Sequence, residues 1–204
     1  MGISSSGASK SVPGFDHVYQ LKRAYDDDAF YGDSHPLIRR QPELLRGELI
    51  PEATIRVNWA MGCADPGDIA LGRSNCLFYL SARVQELLKS NGVTGWRTYP
   101  IDLRNKAGDI CPGYASLSIA GRCGPTDQQG GEVMPGQKPG KKFIRRIGLF
   151  FDGSTWDGSD FFCPAGENTY MFVTEKVKNL FEQHEIEGFT FTPLTKATWF
   201  PKAD

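Results

Sequence analysis

The sequence predicts an α+β fold in which two duplicated, pseudo-symmetric strand–helix–strand units pack on a shared sheet. Three observations carry that expectation. Residues 77–101 (LFYLSARVQELLKSNGVTGWRTYPI) lie over residues 170–194 (YMFVTEKVKNLFEQHEIEGFTFTPL) without a gap, 93 positions apart. Each copy opens with a β-rich run, passes through helical spacing and closes on a second extended run. Neither helix can bury its apolar stripe alone, so the two units need a common core. At 204 residues, 40% of them apolar and 23% charged, the chain suits one substantial globular domain.

Residues 1–14 (MGISSSGASKSVPG) have the composition of a flexible leader, leaving 15–204 as a single domain with internal repeats at 77–101 and 170–194. MGISSS fits the N-myristoylation pattern at Gly2, which a eukaryotic source would make relevant; a Ser/Gly-rich tail is the plainer reading. HVYQLKRAY from His17 reads as a first strand, and AYDDDAFYGDSHP as an acidic, aromatic-bearing loop. PELLRGEL has the spacing of a short helix, with Pro42 near its first position. TIRVNWAM alternates Ile55, Val57 and Trp59, the pattern of a half-buried strand.

In the first copy CLFYL ends at Ser81, and in the second YMFV ends at Thr174. Both hydroxyls are placed to cap a helix by accepting a backbone N–H. Val84, Leu87 and Leu88 form one stripe, and Val177, Leu180 and Phe181 the other. A break at Gly95 or Gly188 follows, then WRTYPI or FTFTPL. The likeness extends upstream, where Asp68 and Asp160 each precede an apolar residue, a turn and the strand. YASLSIAGRCG is another strand candidate, GPTDQQGGEVMPGQKPGKK a long loop, FIRRIGLFF a strand and DGSTWDGSD a turn region.

Net charge −1 and a pI near 6.3 give no electrostatic case for nucleic acid as the partner. The chain lacks an apolar run long enough to span a membrane and a secretory h-region, so a cytoplasmic location is expected. Its five cysteines (Cys63, Cys76, Cys111, Cys123 and Cys163) include no C-x-x-C pair. They are expected to be reduced and mostly buried, with no metal and no cofactor. Phosphate-loop, H-E-x-x-H and G-x-S-x-G signatures are absent, and nothing in the spacing of His17, His35 and His184 points to a nucleophile pair. No catalytic residues are expected, and the chain does not read as an enzyme. KPGKKFIRR reads as a solvated basic loop. The acidic segment is the better partner surface: Tyr25, Phe30 and Tyr31 supply rings, while Asp26, Asp27, Asp28 and Asp33 would steer a basic partner.

The stretch WDGSDFFCPAGENTYMFVTEKVKNLFEQHEIEGFTFTPL resembles the end of bacterial immunity proteins of polymorphic toxin systems, best known from myxobacteria. The matching residues are Gly158, Ser159, Asp160, Phe161, Phe162, Phe172, Val173, Thr174, Glu175, Lys176, Gly188, Phe191, Pro193 and Leu194. Leu80, Ser81 and Arg83 look like the same families' internal segment, so the resemblance spans roughly residues 65–194. The double-CxxCG group within these families carries two C-x-x-C-G motifs. This chain retains only Cys123-Gly124 and the CPG at Cys111, which argues against a zinc ribbon. The resemblance implies a non-catalytic inhibitor of a cognate protein toxin. An interaction module of a larger assembly is the alternative, and an enzyme with a site assembled from distant residues is a third. The oligomeric state is not readable from the sequence.

Overall fold

The computed structural model describes residues 14–24, 29–34, 41–73, 77–135, 145–166 and 170–200. A 3-10 turn at Phe15–His17 leads into β1 (Val18–Arg23), then β2 (Tyr31–Asp33), the short helix α1 (Gln41–Leu45), β3 (Ile55–Met61), β4 (Ile69–Gly72) and β5 (Phe78–Leu80). Helix α2 (Ala82–Ser90) joins β5 to β6 (Trp96–Arg104), followed by β7 (Ala115–Ile119), β8 (Gly121–Cys123) and β9 (Glu132–Val133). The chain continues through β10 (Arg146–Ile147), β11 (Phe161–Pro164), β12 (Met171–Thr174), helix α3 (Glu175–Gln183), β13 (Phe189–Pro193) and β14 (Thr198–Trp199).

The fold is mixed α+β, but the two repeat segments do not share a sheet. β5 and β6 belong to a closed six-stranded barrel of order β2-β3-β6-β7-β5-β4. β12 and β13 belong to an open sheet of order β13-β1-β12-β11-β8, and β14-β10-β9 form a small third sheet. What the segments share is a core. Val84 and Leu88 of α2 pack in one cluster with Val177, Leu180 and Phe181 of α3. That cluster also takes Ile69, Leu71, Phe78 and Leu80 from the barrel and Tyr19, Leu21, Phe161 and Val173 from the open sheet. The helical period put the right residues inward, with Leu87 half-buried at the margin. Leu180→Ala is therefore expected to cost about 2–5 kcal/mol through transfer and cavity terms, measured by urea unfolding.

Two sheets form because each unit's strands are separated by one inserted from elsewhere in the chain. Between β5 and β6 lies β7, with Tyr79 opposite Ser116, Thr98 opposite Leu117 and Pro100 opposite Ala115. Between β12 and β13 lies β1, with Phe172 opposite Gln20, Phe191 opposite Leu21 and Pro193 opposite Tyr19. The pairs match one for one at the 93-residue spacing. On the outer side β4 pairs with β5 and runs parallel to β2, as β11 pairs with β12 and runs parallel to β8. The chain neighbours β1 and β2 thus go to different sheets, and so do β7 and β8.

Local chemistry sets the element ends. Ser81 Oγ accepts the Val84 N–H at 3.3 Å, as its position suggested. Thr174 accepts no such bond, although its hydroxyl donates to Asp160 Oδ1 at 2.9 Å just as the Ser81 hydroxyl donates to Asp68 at 3.1 Å. Both helices close with the same pair of reversed bonds: Val93 N–H to the Leu88 carbonyl and Gly92 N–H to Lys89, then Ile186 N–H to Phe181 and Glu185 N–H to Glu182. The closure requires a left-handed residue after the cap, which is Gly92 (φ +57°) in one copy and Glu185 (φ +53°) in the other. Helix α1 stops short of the expected PELLRGEL span because Gly47 turns left-handed after it. Among the described residues of FIRRIGLFF the extended run is the short β10, which Gly148 at φ +91° ends, and Leu149 and Phe151 are buried beyond it.

Candidate partner-binding cleft

Of the acidic segment, Tyr25, Asp26, Asp27 and Asp28 lie outside the described residues. The remainder is not a loop. Tyr31–Asp33 is a barrel strand, and Gly32 is required there because a Cβ would sit 2.5 Å from Val57 Cγ1 in the barrel interior. Phe30 is 2% exposed and packs with Leu44, Val57 and Tyr79. Tyr31 is half-buried against the core shared by the two helices, with the Arg23 guanidinium 5.8 Å from its ring centre. Asp33 faces Arg73 at 3.4 Å. The residues that flank the aspartate run, Ala24 and Ala29, are described, and both open onto a cleft.

The cleft holds about 710 Å³ where the loop after α3 faces the turn before β4. Its floor is apolar, made by Phe30, Ile69, Ile186 and Phe189. Its rim carries Asp65, Asp68, Glu185 and Glu187, with the exposed thiol of Cys63 beside them. Asn105 Nδ2 donates to Asp65 at 3.1 Å. Asp68 accepts from the Ser81 hydroxyl at 3.1 Å and is paired with Arg83, whose other nitrogen reaches the His184 carbonyl at 2.8 Å. Glu185 and Glu187 have no side-chain partner among the described residues.

The corresponding place in the other half is closed. Asp160 stands where Asp68 does, accepting from the Thr174 hydroxyl at 2.9 Å and from Lys176 at 3.2 Å. Lys176 also reaches across to the Gly92 carbonyl, as Arg83 reaches to His184. Here, however, Thr94 donates its N–H (2.9 Å) and hydroxyl (3.2 Å) to Asp160 Oδ2, and its carbonyl accepts the Phe161 N–H at 3.0 Å. Burial pushes the Asp160 carboxyl up, but the Thr94 amide, the Thr174 hydroxyl and Lys176 outweigh it and hold the group below the usual carboxylate range. The residue 93 positions after Thr94 is Glu187. An acid replaces the residue that would tie the loop down.

A second hollow of about 800 Å³ lies on β3, with Arg56, Arg73 and Asp33 around Trp59, and Lys106 stands 5.1 Å over that ring. Its charges are mixed. Of the described cysteines, Cys123 and Cys163 are buried as expected, but Cys111 is half-buried and Cys63 exposed. Burial, then nearby Asp65, raises the Cys111 thiol. No group of three His, Cys, Asp or Glu side chains able to hold a metal occurs among the described residues. His17 Nδ1 is 2.9 Å from Glu175 Oε2 at the surface, and His184 caps the end of α3. No described helix is long and apolar enough to cross a membrane. Of the basic stretch, Arg146 bonds the Gln129 and Gly131 carbonyls and Arg145 lies 4.9 Å over Phe200.

Sequence reasoning missed Asp65, Glu185, Glu187 and Cys63 as a group. The gapless overlay did hold one signal, the acid Glu187 at the place of Thr94. No protein-family model matches the chain, and no curated protein matches it.

Proposed function

We propose that this chain is a non-catalytic immunity protein that binds a cognate bacterial toxin in the producing cell's cytoplasm and neutralises it by occlusion, on a scaffold made by internal duplication. The duplication is supported by the one-for-one strand pairings and by the matched Asp68/Asp160 bonding patterns. A single observation carries the functional reading. The residues that resemble immunity proteins, among them Asp160, Thr174, Lys176 and Gly188, are engaged in holding the framework together, while Glu185 and Glu187, without a side-chain partner among the described residues, line the cleft beside it. Such a division suits a binder, whose framework is fixed and whose rim is free to match a partner. Toxins that attack nucleic acid are basic on the attacking surface, and acid on the inhibitor both speeds encounter and masks that surface.

The test is co-expression with the toxin encoded beside this gene, scored as survival, together with a binding titration of the two purified proteins. Protection with a stable complex is expected. Asp26→Lys, Asp27→Lys and Asp28→Lys combined should weaken binding about tenfold at low salt without changing the unfolding midpoint, and the loss should shrink at high salt. Unchanged affinity in the triple variant removes this segment from the interface. Survival no better than the empty control removes the immunity reading.

A further inference from the structure

The two halves place the same groups at the same positions, yet one place is shut and the other open. In the shut half the loop after the helix is held by Thr94 on Asp160. In the open half Glu187 stands in Thr94's place, and its carboxylate has no hydrogen to replace the bond that the Thr94 hydroxyl gives. Gly188 packs against Ile69 at the start of β4, and a cleft of about 710 Å³ opens beside that contact. Its composition is specific: a floor of Phe30, Ile69 and Phe189, and above it carboxylates with no basic residue in the lining. Lysine and arginine combine an apolar stem with a cationic head, and such side chains settle with the stem on apolar surface and the head at a charged rim.

We infer that this cleft is the receptor for a cationic side chain, arginine or lysine, presented by a basic segment of a protein partner. Glu185 and Glu187 are the groups that receive the charge, since Asp68 is already engaged by Arg83 and Asp65 by Asn105. The stem lies over Ile69 and Phe189. The exposed Cys63 thiol on the rim reports occupancy, because an occupant stands between it and solvent. The inference deepens the protein-binding reading above by assigning the chemistry of the partner's contact, and it does not require that the partner be a toxin.

The probe is a short acetylated and amidated peptide, Gly-Arg-Leu-Arg-Gly, titrated into the full chain at low and physiological ionic strength. Its counterpart carries citrulline, which has the shape of arginine without the charge. Saturable binding of the arginine peptide is expected, with the citrulline peptide at least about fivefold weaker. Alkylation of Cys63 by iodoacetamide, followed by peptide mapping, should slow about threefold or more when the arginine peptide is bound. Glu185→Gln with Glu187→Gln should remove the preference for arginine, while Glu86→Gln on the outer face of α2 should leave it. Equal binding of the two peptides, an arginine preference that survives the double variant, or Cys63 protection by neither peptide would each overturn the inference. Discrimination of the peptides with no protection from any toxin would remove the immunity reading and leave the receptor. A protective complex unaffected by the double variant would do the reverse.

Discussion

Replacing Gly95 by alanine is expected to destabilise the protein by about 3–5 kcal/mol. Gly95 has φ +79°, a conformation that costs an L-residue roughly 1–2 kcal/mol. The larger effect is steric. A Cβ there would meet the backbone carbonyl oxygen of Phe161 and stand 2.6 Å from Ser159 Cβ, with no flexible side-chain end to give way. The backbone must shift, and with it the bonds that Gly95 accepts from Ala120 and Gly121. Gly92→Ala is the internal control. It is also left-handed, but nothing lies within 4 Å of its would-be Cβ, and Glu185 holds the matching position in the other half. It should cost only about 1–2 kcal/mol. Urea unfolding of both variants separates strain from collision, and equal losses would mean that the close approach at Gly95 is unimportant.

Asp160→Ala is expected to cost about 3–4 kcal/mol. The change removes the acceptor for the Thr94 amide and hydroxyl, the Thr174 hydroxyl and the Lys176 ammonium at once. The Asp160 carboxyl is 13% exposed, so water replaces these bonds poorly. Asp68→Ala should cost about half as much, because no loop amide is bonded to Asp68. The folded-state depression of Asp160 also sets a pH signature. Its contribution is fully present above the unfolded carboxylate value near about 4 and is lost as pH falls through the lower folded value. The wild type and Asp160→Ala should therefore converge in stability below about pH 4. A difference that persisted undiminished into acid would show that the carboxylate's charge is not what binds the loop.

The helices and their stripes were readable because a 3.6-residue period is written in the positions of Val84, Leu88, Val177, Leu180 and Phe181 themselves. The same hydroxyl pattern reads as a cap at both Ser81 and Thr174, but only Ser81 accepts a helix N–H. The insertion of β7 and β1 left no local trace. Strand alternation says which face of a strand is buried but not which neighbour it pairs with. Segment 30–33 was misread because glycine and aspartate are turn residues by frequency, while Gly32 is there to spare room inside a barrel. The acidic aromatic run did mark the neighbourhood of the cleft, through Ala24 and Ala29, but the acids that line it sit at distant positions.

The crossing of β1 into the far sheet constrains how the molecule can be made. Tyr19 pairs with Val173 on one side and Pro193 on the other, so β1 emerges from the ribosome roughly 150 residues before either neighbour exists. At ordinary elongation rates it waits for roughly 8–30 s. The barrel suffers the milder form of the same delay, needing β7 before β5 and β6 can be bridged. Native order in the nascent chain should thus begin with the barrel and end with the capture of β1 by β12 and β13. Such a chain is open to error while it waits, because an unpaired β1 can be taken by another molecule's β12 and β13. Overproduction should therefore yield strand-exchanged oligomers before it yields amorphous aggregate.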